Sequence, residues 1–75
     1  MARLELFGTA SCPHTSEMRE WLEWQGRDFV EYDVERDGSA LARMRQLSGQ
    51  KMVPLLVENG KVVQSGWQGR GCVVG

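Results

Sequence analysis

Cysteine is scarce in this sequence, with two among 75 residues, Cys12 and Cys72. Two cysteines cannot build the dense disulfide framework of small secreted domains. The default expectation is a pair of free or transiently oxidised thiols in a reducing, cytoplasmic setting. A structural Cys12–Cys72 disulfide stays open, because spacing by itself does not establish a pairing. A charge imbalance is also lacking. Nine basic against ten acidic residues leave a net charge of -1, which gives no footprint for nucleic acid and no basic stripe for an anionic membrane. No apolar run approaches the ~20 residues that span a bilayer. The opening Met1-Ala2-Arg3-Leu4-Glu5-Leu6-Phe7 carries charges and shows no signal-peptide pattern. Repeats, low-complexity tracts and linkers are absent too, so residues 1–75 read as one domain. A domain of this length has a thin core, but 41% hydrophobic and 25% charged residues exclude disorder.

What is present divides into short elements. Arg3 to Phe7 alternates, with Leu4 and Leu6 on one face, and reads as a strand. Gly8-Thr9-Ala10-Ser11 is a loop, and Pro13 suits the first turn of a helix. Met18, Trp21, Leu22 and Gln25 recur at helical spacing, and Gly26 marks the stop. Trp21 falls on the core face; Trp24 is offset from it. Phe29 to Val34 reads as a second strand. Asp37-Gly38 is a turn, Ser39 an N-cap, and Leu41, Met44, Arg45 and Ser48, with Leu47, form a helical face closed by Gly49. Leu55-Leu56-Val57 fits a strand buried on both sides. Asn59-Gly60 signals a hairpin returning through Lys61 to Gln64. The order β-α-β-α-β-β predicts an α/β fold in which a crossover gives a parallel pair and the hairpin adds antiparallel strands. Beyond Gln64 the chain turns glycine-rich, with no third helix of useful length.

Three places carry chemistry. The first is Cys12-Pro13-His14-Thr15. An unperturbed thiol, with a pKa near 8.5, is only about 3% thiolate at neutral pH. At a helix N-terminus the unpaired N–H groups, here those of His14 and Thr15, stabilise negative charge on the sulfur. Such positions lower a thiol pKa to roughly 3.5 to 7.5. The Thr15 hydroxyl can donate to the thiolate; equally, it can satisfy backbone in the helix's first turn. His14, the one histidine, is a candidate acid toward a leaving thiol or a solvated surface residue. The second place is Lys51-Met52-Val53-Pro54, where an X-Pro bond before an apolar strand can be cis. The Val53 backbone is then placed to pair with a peptide-like ligand as an added strand. The third is Ser65-Gly66-Trp67-Gln68. There Gly66 lets backbone amides approach an anion, and Trp67 either walls a groove or simply packs.

In order, Cys12-Pro13-His14-Thr15, Gln50-Lys51-Met52-Val53-Pro54 and Ser65-Gly66-Trp67-Gln68 resemble the C-P-x-C, T-V-P and G-G sites of the glutaredoxins, small members of the thioredoxin superfamily. The resemblance runs over residues 3 to 68. It implies a four-stranded thioredoxin-like mixed sheet with two main helices, a cis bond at Pro54, and a groove for glutathione or a partner's peptide. In that groove the Val53 backbone would hold the ligand, and Ser65, Gly66 and Gln68 would lie near a γ-glutamyl end. The chain departs from the pattern at several points. Thr15 stands where the second active-site cysteine would be, Thr9 where many glutaredoxins carry lysine, and Met52 where threonine is usual. Lys51 or Arg70 would have to supply the missing cation, and the family's C-terminal helix is replaced by a Gly-Arg-Gly-Cys tail. A single C-P-x-T site with a late cysteine resembles the UXX-star group of glutaredoxin-like proteins, some of which carry selenocysteine at the position of Cys12.

The expected activity is monothiol thiol–disulfide exchange. Cys12 thiolate attacks disulfides or glutathionylated thiols, no cofactor is bound, and glutathione or a partner thiol is co-substrate. Cys72 is a candidate resolving thiol, with an incidental surface thiol as the alternative. The expected partners are protein or small-molecule disulfides, with no nucleic acid and no membrane, and the expected state is a monomer or weak dimer. Two other functions stay open: an iron–sulfur or metal carrier built on Cys12 and glutathione, and a redox-inert binding module. The carriers usually show C-G-F-S, from which Pro13 and His14 depart.

Overall fold

The computed structural model describes residues 3–74. Met1 and Ala2, and Gly75 of the expected 1–75 domain, lie outside the described residues. The elements are β1 (Leu4–Gly8), α1 (Pro13–Trp24), β2 (Phe29–Asp33), α2 (Gly38–Ser48), β3 (Met52–Val53), β4 (Leu55–Glu58), β5 (Lys61–Ser65) and β6 (Cys72–Val73).

Four strands form a mixed sheet in the order β2-β1-β4-β5. β1 runs parallel to β2, with Leu4 opposite Phe29, and antiparallel to β4, with Leu6 opposite Leu56. The β4–β5 hairpin turns at Asn59-Gly60, both at positive φ (52° and 80°), as a two-residue turn between twisted strands requires. Its register shifts after Leu56, so that Val57 faces Val62.

Alternation along β1 and β4 divides the core into two layers. Leu4, Leu6 and Leu56 meet Met18 and Leu22 of α1. Phe7, Leu55 and Val57 meet Ala40 and Met44 of α2, together with Val34, Val53, Val74 and Cys12. Phe7, Leu6, Met18, Leu22, Met44 and Leu55 are fully buried, each worth about 1.5–3 kcal/mol against exposure.

The α2 layer also contains a charge. Glu5, on the central strand, is buried, and receives both guanidinium nitrogens of Arg43 (2.6 and 2.7 Å) and the Tyr32 hydroxyl (3.0 Å). Arg43 in turn lies over the Phe7 ring, which stacks on Tyr32. The hydrogen-bonded Arg43 holds the Glu5 carboxyl below the usual carboxylate range, against the opposing effect of burial.

Three local expectations need correction. The α2 N-cap is Asp37, whose carboxylate accepts from the Ser39 and Ala40 amides (3.1 and 3.2 Å), so Ser39 lies inside the helix. The buried face of α2 is centred on Ala40 and Met44, and Arg45 is exposed. Trp21 is only half-buried, packed at the margin of the α1 layer, where its ring meets Trp67 at 5.6 Å. Trp24 is exposed.

The largest difference lies in the tail, where the sequence predicts no regular element after the hairpin. Among the described residues no third helix follows β5. Instead β6 returns to pair with β3 as a second, two-stranded sheet, Met52 opposite Val73 and Val53 opposite Cys72.

Candidate active site

Cys12 is the N-cap of α1, in extended conformation (φ -94°, ψ 115°), with Pro13 opening the helix. The Cys12 carbonyl accepts the Thr15 amide at 3.1 Å and the Ser16 amide at 3.4 Å. The Thr15 N–H expected to face the sulfur is thus engaged by the carbonyl of the same residue. The Cys12 amide donates to Thr9 at 3.4 Å, closing the loop before the helix.

Thr15 is fully buried. Its Oγ1 accepts the Thr9 amide at 3.5 Å, and its side chain fills the space where a Cβ on Gly8 would stand. The residue in the second-cysteine position therefore locks strand, loop and helix together. Thr9, where the family often has lysine, is also buried, its hydroxyl 3.3 Å from that of Ser11. His14 is half-buried, with Nδ1 3.8 Å from Glu17. Glu17 also accepts the Trp67 indole N–H at 2.8 Å, so Trp67 is fastened to the first turns of α1 from outside.

The Cys12 sulfur is bonded to Cys72, across 60 residues of sequence and with 6.0 Å between Cα atoms. Cys12 is buried; Cys72 is half-buried. The route that brings Cys72 here is a tight reversal after β5. The Trp67 amide donates to the Arg70 carbonyl (2.7 Å) and the Arg70 amide to the Trp67 carbonyl (2.9 Å), around Gln68 and Gly69 at φ 52° and 78°. Gly66, at φ +82°, lies against Arg70, and a Cβ there would be 2.8 Å from the Arg70 carbonyl oxygen. The glycines of the tail thus make the reversal possible.

The Val53–Pro54 bond is cis, and Val53 and Pro54 are buried beside the disulfide. Beyond the β3–β6 pair, the Val74 amide donates to the Lys51 carbonyl at 2.8 Å. Met52 lies against Gly66 and Gly71.

The structure therefore brings together Cys12, Cys72, Val53 and Pro54, with Met52 and Gly66 at their edge. Ser65 and Gln68 are exposed, on the end of β5 and on the reversal. The amides offered to an anion are engaged within the chain, Gly66 to Pro54 (2.7 Å) and Trp67 to Arg70. The sequence reading missed β6, the close approach of Gly71 to β3, and the clamp between Thr15 and Gly8. The signal for β6 was present in Gln68-Gly69 followed by Val73-Val74, an X-Gly turn ahead of β-branched residues. Among the described residues no cluster of three or more His, Cys, Asp or Glu forms a metal-ligand set, and no helix is long and apolar enough to cross a membrane.

A mixed four-stranded sheet with helices on both faces, a cysteine capping the first helix and a cis-proline before the third main-sheet strand define a thioredoxin-like fold. The chain belongs to the glutaredoxin family, whose pattern it matches over residues 4–63. It is 30% identical over 60 residues, covering 80% of each chain, to an uncharacterized glutaredoxin-like 8.6 kDa protein in the rubredoxin operon of Clostridium pasteurianum. It superimposes on a glutaredoxin from Archaeoglobus fulgidus with a TM-score of 0.76 and 26% identity, covering 87% of this chain and 76% of that one. A buckwheat glutaredoxin, solved as a glutathione complex, shares the fold at a TM-score of 0.71 and 23% identity, over 83% of this chain and 59% of that one. Family and fold support thiol–disulfide oxidoreduction as the general chemistry.

Proposed function

We propose that this chain is a thiol–disulfide oxidoreductase whose nucleophile is Cys12 and whose resolving thiol is Cys72. The observation that carries this reading is the Cys12–Cys72 bond at the N-terminus of α1. Thr15 has no thiol to resolve with, and the tail supplies one from sixty residues away.

In the reduced chain, Cys12 thiolate attacks one sulfur of a partner disulfide. A Cys12–partner bond forms and the other partner sulfur leaves as a thiolate. Cys72 thiolate then attacks the Cys12 sulfur, forming the intramolecular disulfide and releasing the second partner thiolate. The partner gains two electrons and the chain's two thiols lose two. Two equivalents of a small thiol, or one dithiol, restore the reduced chain and become a disulfide. Glutathione is the proposed small thiol, in keeping with the family and with the glutathione bound by the buckwheat relative.

Within this scheme the Thr15 hydroxyl accepts from Thr9 and has its own proton left for the thiolate. His14, in the first helical turn, is the proposed acid that passes a proton to the departing thiolate and regains one from water. Val53 offers backbone pairing beside the reacting sulfurs.

The test is the pH dependence of Cys12 alkylation in Cys72→Ser, paired with peptide mapping of the wild-type chain after mild oxidation. A reactivity pKa well below 7 and a Cys12–Cys72 linkage are expected. A pKa near that of an ordinary thiol removes the catalytic claim. Adducts only with glutathione or between chains remove Cys72 as resolving thiol and restore a monothiol scheme.

A further inference from the structure

Resting on that reading, we propose that residues 71–73, Gly-Cys-Val, are an internal stand-in for the substrate. Partner proteins are then engaged by an extended segment that replaces β6 on β3, and this segment must carry glycine immediately before its reacting cysteine.

β6 occupies the pairing edge of β3. Val53 faces Cys72 and Met52 faces Val73, while the Val74 amide bonds the Lys51 carbonyl. Hydrogen-bonded pairs recur every second residue in an antiparallel ladder, so Val53 and Cys72 are in phase with the Lys51–Val74 bond. Cys72 is therefore presented to Cys12 as one residue of an added strand, its sulfur delivered by backbone pairing. An intermolecular partner needs the same sulfur position against the same strand. It cannot share that position with β6, which must lift away on reduction to admit it.

The constraint on sequence comes from Gly71. A Cβ there would lie 2.6 Å from the Val53 carbonyl oxygen, and 2.8 and 3.1 Å from Met52 Cγ and Sδ. The Met52 side chain can turn aside, but the carbonyl belongs to the strand that sets the register, so a side chain at this place pushes the following cysteine off β3. The residue after the cysteine is free of this limit, since Val73 is 83% exposed. The site thus selects against side chains on one flank of the cysteine and tolerates them on the other.

Two measurements on the 75-residue chain test the proposal. In reduced Cys72→Ser, equilibrium exchange of Cys12 with disulfides of the blocked peptides Gly-Cys-Val, Ala-Cys-Val and Leu-Cys-Val is measured, each normalised to exchange of the same peptide with 2-mercaptoethanol. Gly-Cys-Val is expected to be favoured at least tenfold over Ala-Cys-Val, and more over Leu-Cys-Val. In the two-cysteine chain, Gly71→Ala is expected to shift the Cys12–Cys72 equilibrium with glutathione about tenfold toward the reduced form. Equal constants for the three peptides, or an unchanged equilibrium in Gly71→Ala, overturn the proposal. The catalytic reading survives that result provided Cys12 still exchanges with 2-hydroxyethyl disulfide; a Cys12 that exchanges with no disulfide overturns both.

Discussion

Val53 and Cys72 face each other across the β3–β6 pair, and Cys72 is at the same time bonded to Cys12. One tail residue thus joins the strand before the cis-proline to the N-terminus of α1. The two attachments differ in kind, since a reductant breaks one and leaves only a two-residue ladder for the other.

Reduction should therefore cost much stability. Closing a loop across sixty residues removes unfolded-state entropy worth about 4 kcal/mol. In a domain of this size each kcal/mol moves Tm by about 4–8 °C. The expected outcome is a Tm lower by about 15 °C or more in excess dithiothreitol, with Cys72→Ser matching the reduced wild type. A change of only a few degrees would mean that the tail is not held by this bond in solution.

The contact between Gly8 and Thr15 makes a coupled pair. Gly8→Ala drives a methyl into the Thr15 side chain, an overpacking expected to cost about 1–3 kcal/mol. In Thr15→Ala the same methyl meets less obstruction. A double-mutant cycle read by urea denaturation should show the two losses combining to less than their sum. Strict additivity would contradict the contact.

Glu5 and Arg43 set a pH dependence. The folded-state pKa of Glu5 lies below its unfolded value, so near pH 4 the unfolded chain binds more protons. The stabilisation from this pair is fully present above the unfolded pKa and is lost as pH falls through the folded one. Arg43→Ala leaves the buried carboxylate with the Tyr32 hydroxyl and with Arg3 at 3.9 Å. Because Arg43 is itself nearly half exposed, the expected loss at pH 7 is about 1–3 kcal/mol. Urea melts at pH 7 and pH 3 should show the difference between wild type and variant shrinking at the lower pH.

The reversal before β6 can be weakened without touching either cysteine. Gly69 adopts φ +78° with open space around it, so Gly69→Val suffers from backbone strain and not from collision. A penalty of about 1–2 kcal/mol is expected to appear as a more easily reduced Cys12–Cys72 bond, measured against glutathione. The alkylation pKa of Cys12 in the Cys72→Ser background should not move.

Much of the architecture was legible from local pattern. Alternation at Leu4 and Leu6, Pro13 opening a helix, Asn59-Gly60 and the apolar run at Leu55 act over a few residues, so periodicity and turn chemistry determine them without a tertiary partner. The positions of Cys12 at a helix start and of Pro54 before a strand were determined in the same way. The pairing of Cys12 with Cys72 was not, because it depends on where sixty intervening residues deliver two sulfurs. Nor was the role of Thr15, whose hydroxyl and methyl meet Thr9 and Gly8 only once β1 and α1 are packed. The X-Gly turn and the two valines mark a strand after the reversal but not its partner; β6 pairs with β3 because the Gln68-Gly69 reversal brings the tail to that edge. Sequence determined the four strands of the main sheet, the two helices and the place of Cys12 at a helix start; the tertiary structure decided what that cysteine faces, since a long-range contact is a property of the packed chain and not of any segment in it.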